Sequence, residues 1–363
     1  MLWLQGHFTA SEIRAEQLAL VTGNADVALI ELTNGKVVTS RLPIEAQAIE
    51  IQSLETGPDG NLYMGGYHRG LTIYNPNENK VELSIELFPQ TEGISFCQGH
   101  VYFGTYTKAK IFRYDPQSPV DFGMSPKHNP GWIGDIGYSQ DRPFSMTTGE
   151  GKVFMGMIPD YGLQGGALAV FEPKDQTWAV YPDVMKGHSI LGLAYKEGLL
   201  YGGSSLWGGL GSPPAEGPAK LFIWDVALGC KVAEFALDIP EMDMPPEMIG
   251  ELSIGPDGNL WGAIDGTLFV MDTTTRQIIK SKVIVPSAYA FSKWRPIFLR
   301  WGPDGLLYTT LGRRLIVVQP STLDTITLND IIVGNITLDH QGRLYAAQGS
   351  ELYRLDLPDH LFG

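Results

Sequence analysis

Glu251–Thr273 reads ELSIGPDGNLWGAIDGTLFVMDT, and the rest of the chain is built from degenerate copies of it. A short apolar strand meets a Gly-Pro-Asp-Gly turn, and a second strand follows that ends in small residues. A tight loop and a third alternating strand then run to an aspartate turn. Proline presets φ in such a turn, aspartate bonds the local backbone, and glycine takes the positive φ. The cassette recurs as SLETGPDGNLYMGGYHRGLTIYNP from Ser53 and as FLRWGPDGLLYTTLGRRLIVVQP from Phe298. Looser copies start at Phe96, Met146, Leu191 and Ile336. All-strand units repeating at about 40 to 50 residues are the signature of a β-propeller. The predicted fold is therefore all-β: a single propeller of four-stranded blades spanning residues 1–363.

First-to-second strand turns fall at Gly57, Gln98, Gly149, Lys196, Gly255, Gly302 and His340, which predicts seven blades. Residues Leu18–Ile44 match the last three strands of a blade, with Asn34-Gly35 as a hairpin turn and no first strand before them. Asn335–Leu357 supplies three strands at the other end. Segment 18–44 is thus expected to complete the blade at 335–357 and close the ring, which would remove two unpaired sheet edges. An eighth blade follows if residues 1–43 form one of their own.

Composition agrees with this reading. The 43 glycines and 24 prolines suit many tight turns and oppose long helices. A net charge of −14 argues against a nucleic-acid backbone or an anionic membrane as the main partner. A few basic residues focused on one face still leave room for an acidic ligand. No apolar run approaches the roughly 18 residues that span a bilayer, so no membrane insertion is expected. MLWLQGHFTASEIRAEQ lacks a basic start and an apolar centre, so it is not read as a secretory signal. The chain is either cytoplasmic or a processed piece of a longer extracellular protein, and the second is favoured. Cys97 and Cys230 fall in different repeats and are expected as free thiols.

In a propeller the loops after strands two and four open on one face, where function usually lies, and the GPDG-type turns lie on the other. The loops after strand two include GGYHRG (65–70), GTYTKAK (104–110), GAIDG (262–266) and TLGRR (310–314). Two are long, at 156–166 and 202–220. Three links between blades are also long: Asp121–Phe144, Ile239–Gly250 and Val285–Pro296. Long loops in a compact fold are usually functional or disordered, and these carry aromatic and charged residues.

The seven histidines are scattered, without HExxH, CxxC or an EF-hand loop. Neither a P-loop, a dinucleotide fingerprint nor a GxSxG elbow is present. No cofactor is expected, although a structural or channel metal stays open. Asp257 and Asp304 read as turn formers. The face-forming loops do carry a constellation: Tyr67, His68, Arg69, Tyr106, Lys108, Asp141, Arg142, Asp160, Tyr161, His188, Trp207, Asp265, Trp294, Arg295 and Arg313.

Three functions fit those residue types. Aromatic faces can stack on sugar rings while convergent polar groups fix hydroxyls and carboxylates. On a uronate, an arginine neutralises the carboxylate, and β-elimination follows with His68 or His188 and Tyr106 or Tyr161 as base and acid. Tyr67, Arg69, Asp141, Arg142, Asp160, Trp207, Asp265, Trp294, Arg295 and Arg313 would then bind substrate. Alternatively, Asp141 and Asp160 form the carboxylate pair of a glycoside hydrolase. In the third reading the face only binds a glycan or a protein, as a module of a larger protein. Taken singly, each residue has a plainer role as loop packing, solvated surface or, for Asp141 and Arg142, an interblade ion pair.

The GPDGNLY and GPDGNLW turns resemble those of streptogramin-lyase-type and SMP-30-like propellers over most of the chain. That resemblance implies the propeller fold and metal-supported chemistry from polar residues at inner-strand ends. Here the second strands end MGG, FGT, MGM, YGG, WGA, YTT and AAQ, with no carboxylate, so no site residue is carried across. The segments QDRPFSM…GMIPDYGLQGG and GGSSLWGGLG…AKLFIWD are similar to propeller modules of bacterial carbohydrate-related proteins. Propeller polysaccharide lyases of that kind commonly use His, Tyr and Arg. The resulting expectation is a lyase acting on a uronate-containing polysaccharide or oligosaccharide, with further domains or subunits as possible partners.

Overall fold

The GPDG cassette is fastened by its own aspartate. In a computed structural model of the chain, Asp59 accepts from the Asn61 backbone N–H (3.2 Å), the Asn61 amide (2.9 Å) and the Tyr63 hydroxyl (2.8 Å). Asp257 repeats the pattern with Asn259 and the Trp261 indole N–H, and Asp304 with Leu306 and the Tyr308 hydroxyl. Each turn thus holds the aromatic side chain four residues on, and Tyr63, Trp261 and Tyr308 are all at most 3% exposed. Gly60, Gly258 and Gly305 take φ near +80°, where a β-carbon is strained.

The structure describes residues 8–14, 16–22, 26–43, 48–239, 241–286, 294, 297–328, 333–357 and 361–362. Among them every regular element is a β-strand. The chain divides into two compact units, Met1–Ile49 and Glu50–Gly363.

The first unit is one antiparallel sheet of four strands in chain order: Phe8–Arg14, Gln17–Thr22, Asp26–Glu31 and Val37–Arg41. Asn34-Gly35 turns the last hairpin, with Gly35 at φ +70°. The strand at Phe8–Arg14 corrects the expectation that none precedes residue 18. FTASEIR has no two-sided apolar pattern, and an edge strand does not need one.

Among the described residues the second unit contains seven antiparallel sheets, I to VII, each with its strands in chain order. Their first strands are Ile51–Thr56, Thr91–Cys97, Gln140–Gly149, Ser189–Lys196, Leu252–Ile254, Leu299–Trp301 and Asn335–Leu338. Sheets I to VI have four strands and sheet VII has three. First strands of sheets I to V lie against their successors in order, and those of VI and VII do likewise. Sheets V and VI meet through Trp261 against Trp301, edge to face at 5.1 Å. Sheet I in turn packs on sheet VII. The Ile51 N–H donates to the Gly349 carbonyl (2.8 Å), the Asn335 amide to the Ile51 carbonyl (3.1 Å), and Leu54 and Leu62 pack with Tyr345 and Ala347.

Core lies between successive sheets, as two-sided burial of their middle strands demands. Leu260–Ile264 and Thr267–Met271 are buried at every position. Glycine permits the close approach: a β-carbon on Gly192 of sheet IV would stand 2.1 Å from the Gly250 carbonyl. Asp121–Phe144 is not one link. Gly131–Asp135 is the fourth strand of sheet II, so residues 121–130 belong to an excursion between its third and fourth strands, on the GPDG-turn side, and only residues 136–139 link it to sheet III. Cys97 (buried) and Cys230 (exposed) are free thiols.

Candidate functional site

The first strands of sheets I to IV carry β-bulges near their starts, and in three of them the residue skipped is polar. The register skips Gln52 in sheet I, Glu92 in sheet II and Asp141 in sheet III. A bulge leaves a residue out of the ladder and re-aims its side chain. Here it makes a polar row across three sheets. The Gln52 amide donates to Glu92 Oε2 (2.8 Å), and Glu92 Oε1 lies 3.4 Å from Arg142 Nε. Arg142 Nη1 donates to Asp141 Oδ2 (2.9 Å). The side chains of Glu92, Asp141 and Arg142 are all under 10% exposed.

Aromatic rings cover the guanidinium. Its central carbon stands 4.2 Å from the Tyr106 ring centroid, 5.4 Å from Trp294 and 5.6 Å from Tyr161. The Tyr106 and Tyr161 hydroxyls are 3.0 Å apart, and Arg142 Nη2 donates to the Tyr161 oxygen at 3.5 Å. Lys108 reaches the same place from the Tyr106 loop. Its backbone N–H donates to Asp141 Oδ1 (2.9 Å), and its ammonium pairs with Asp160. Asp160 also accepts from the Tyr161 N–H at 2.9 Å.

These contacts set the protonation preferences. Burial, then the bond to Tyr161, pushes the Tyr106 phenol up to about 12. Tyr161 is pulled below the ordinary phenol value, first by the hydrogen bond with Tyr106 and then by the one from Arg142. Of the two phenols, Tyr161 is the one whose ionisation its neighbours favour. Lys108 holds Asp160 below the usual carboxylate range, and burial raises Glu92.

Tyr106, Asp141, Arg142, Asp160, Tyr161 and Trp294 thus come together with Lys108. Trp207 joins at the side, where its carbonyl accepts from the Trp294 indole (3.1 Å) and its own indole donates to Glu247 (3.2 Å). Tyr67 and His68 lie ring against ring at 4.0 Å, tilted by 47°, in the first loop of the unit, tied to the row because the His68 N–H donates to Gln90, whose amide donates to Glu92. Four other residues are placed as follows. His188 is 5% exposed, with Nδ1 3.0 Å from the Ser204 hydroxyl, and burial lowers its pKa. Arg69 pairs with Glu86 on the neighbouring strand. Asp265 (φ +48°) and Arg313 (φ +66°) are left-handed turn residues between second and third strands. Arg295 lies outside the described residues. Sequence reasoning missed Glu92, Gln52 and Gln90, whose only signal is a polar residue entering an otherwise apolar inner strand.

Exposed apolar residues adjoin the cluster beside Asp160 and Tyr161. Tyr138, Tyr161, Leu163 and Leu210 stand in loops joined by Asp160 N–H to Ser139 O (2.8 Å), Gly162 N–H to Leu210 O (2.8 Å) and Gly209 N–H to Leu163 O (2.9 Å).

No protein-family model matches the sequence, and no curated protein matches it. Among the described residues, no group of three or more His, Cys, Asp or Glu side chains is arranged to hold a metal ion, and no helix is long and apolar enough to cross a membrane.

Proposed function

We propose that residues 50–363 form a seven-bladed β-propeller whose loop face cleaves a uronate-containing polysaccharide by β-elimination. Support for the propeller comes from the serial contacts of sheets I to VII and from the packing of sheet I on sheet VII. Support for the chemistry comes from one observation above all: the exposed Tyr161 hydroxyl shares a hydrogen bond with the Tyr106 hydroxyl (3.0 Å) and accepts from Arg142 (3.5 Å). A phenol held in that way is poised to lose its proton, and a surface that only stacks sugars has no use for one.

In this reading the Tyr161 phenolate removes the proton on C5 of the uronate. The C–H electron pair becomes the C4–C5 double bond, and the C4–O bond breaks. The same phenol then returns its proton to the leaving oxygen, so no water is consumed. Lys108, 60% exposed at its side chain, is the cation that meets the sugar carboxylate. Arg142 stays beneath, with Asp141, Glu92 and Tyr161 as partners. Tyr138, Leu163 and Leu210 offer apolar faces to flanking sugars.

The binding-module reading draws on that same apolar surface. The hydrolase reading has less support, because it needs a carboxyl raised in pKa as its acid and Asp160 is lowered. Incubation with a panel of acidic polysaccharides, followed by ultraviolet absorbance of the unsaturated product, tests the proposal. A rise that Tyr161→Phe abolishes is expected. No rise with any member, while the immobilised protein retains one of them, would replace the lyase with a binding module.

A further inference from the structure

Arg142 is held at three corners by three different parts of the chain. Asp141, its neighbour on the same strand, takes Nη1, and the Tyr161 hydroxyl takes Nη2. Nε faces Glu92, which comes from another sheet. Asp141 alone would leave the planar guanidinium free to turn about the Nη1 contact. A second anchor at Nε removes that freedom.

Glu92 is itself braced. Its side chain is 2% exposed, sits at a bulge, and accepts from the Gln52 amide on one oxygen and the Gln90 amide on the other, both at 2.8 Å. Such bracing is unneeded for packing alone, since an apolar side chain would avoid the burial cost of a carboxyl.

We infer that Glu92 is the positioning residue of this site, holding the Arg142 guanidinium in the orientation from which Nη2 reaches the Tyr161 hydroxyl. The inference rests on Tyr161 being the reactive group of the proposed lyase, yet its test needs no substrate.

The charged and titratable groups around Tyr161 are Tyr106, Arg142, Asp141, Asp160 and Lys108. Loss of a nearby negative charge by itself would favour the phenolate and move the Tyr161 titration down. Loss of a positioned arginine moves it up. The two roles of Glu92 therefore differ in sign.

The experiment is a spectrophotometric tyrosine titration of the full chain, with Tyr161 isolated as the difference between each protein and its Tyr161→Phe partner. Glu92→Ala is expected to move the Tyr161 titration upward by about one pH unit, tenfold less phenolate at a fixed pH. Glu92→Gln is expected to recover most of the shift, because its amide oxygen can face Arg142 while Gln52 turns its own amide over. A downward or absent shift in folded Glu92→Ala overturns the inference. If Glu92→Ala does not fold, Gln52→Leu loosens Glu92 without changing charge. An upward shift there supports the role and an unmoved titration refutes it. A failed lyase assay with the expected titration would remove the reaction and leave the positioning intact.

Discussion

Arg300 Nη2 and Glu55 Oε1 lie 2.5 Å apart although 245 residues separate them in the chain. Arg300 Nη1 also meets Glu251 at 2.6 Å, so one guanidinium joins the first strand of sheet I to residues of sheet VI and the start of sheet V. Burial pushes the Glu55 carboxyl up to about 7; Arg300 opposes that shift and Glu251 adds to it.

That carboxyl makes stability fall as pH rises. Between its ordinary value of 4.5 and about 7, the folded protein keeps a proton that the unfolded chain has released. Ionising Glu55 in the folded protein thus costs about 3 kcal/mol. Glu55→Gln, which mimics the neutral acid, is expected to melt higher than the wild type at pH 8 and at the same temperature at pH 4. Thermal denaturation at the two values decides it, and a variant less stable at pH 8 would disprove the assignment.

Tyr161→Phe is expected to reduce product formation about 10²- to 10⁴-fold with the melting temperature unchanged. In the wild type, activity should climb with pH as Tyr161 ionises, at a pH below the ordinary phenol value of 10. A pH–rate profile that levels off with a pKa above that of a free phenol would remove Tyr161 as the base.

Lys108→Ala should weaken binding of an acidic polymer and leave neutral polymers unaffected. Retention on immobilised polygalacturonate, compared at low and high salt, measures this. Salt should matter in the wild type and little in the variant, since an exposed ammonium is screened.

Asp257→Ala removes the acceptor for the Trp261 indole, which is 1% exposed and would be left with a buried, unpaired N–H. The expected cost is about 2 kcal/mol in urea denaturation. Asp257→Asn, which keeps an acceptor, should recover about half. Equal stability of wild type and Asp257→Ala would mean that the indole finds another partner.

The cassette was legible in the sequence because its bonds are local: Asp257, Gly258 and Trp261 act within one turn and leave a readable spacing. Arg142, Asp141, Tyr106 and Tyr161 could be singled out as polar and aromatic residues in loops of one predicted face. Glu92 could not. It works from a bulge inside a strand, and alternation cannot report a residue that steps out of the ladder. Arg69, Asp265 and Arg313 show the opposite limit, since a charged residue in a tight turn looks the same whether it serves a ligand, a neighbouring strand or the turn itself. The strand at Phe8–Arg14 was hidden for a third reason: its sequence lacks the apolar alternation that a buried strand must have.

The aspartate-to-aromatic bond bears on how such a chain can grow. Gly255 to Trp261 contains its own donors, acceptors and left-handed glycine. A duplicated segment would therefore arrive with its fastening complete, and the new copy would need no compensating change in a distant partner. Copies would then be free to diverge in the loops on the other side, which is how one cassette could come to carry both His68 and Tyr161.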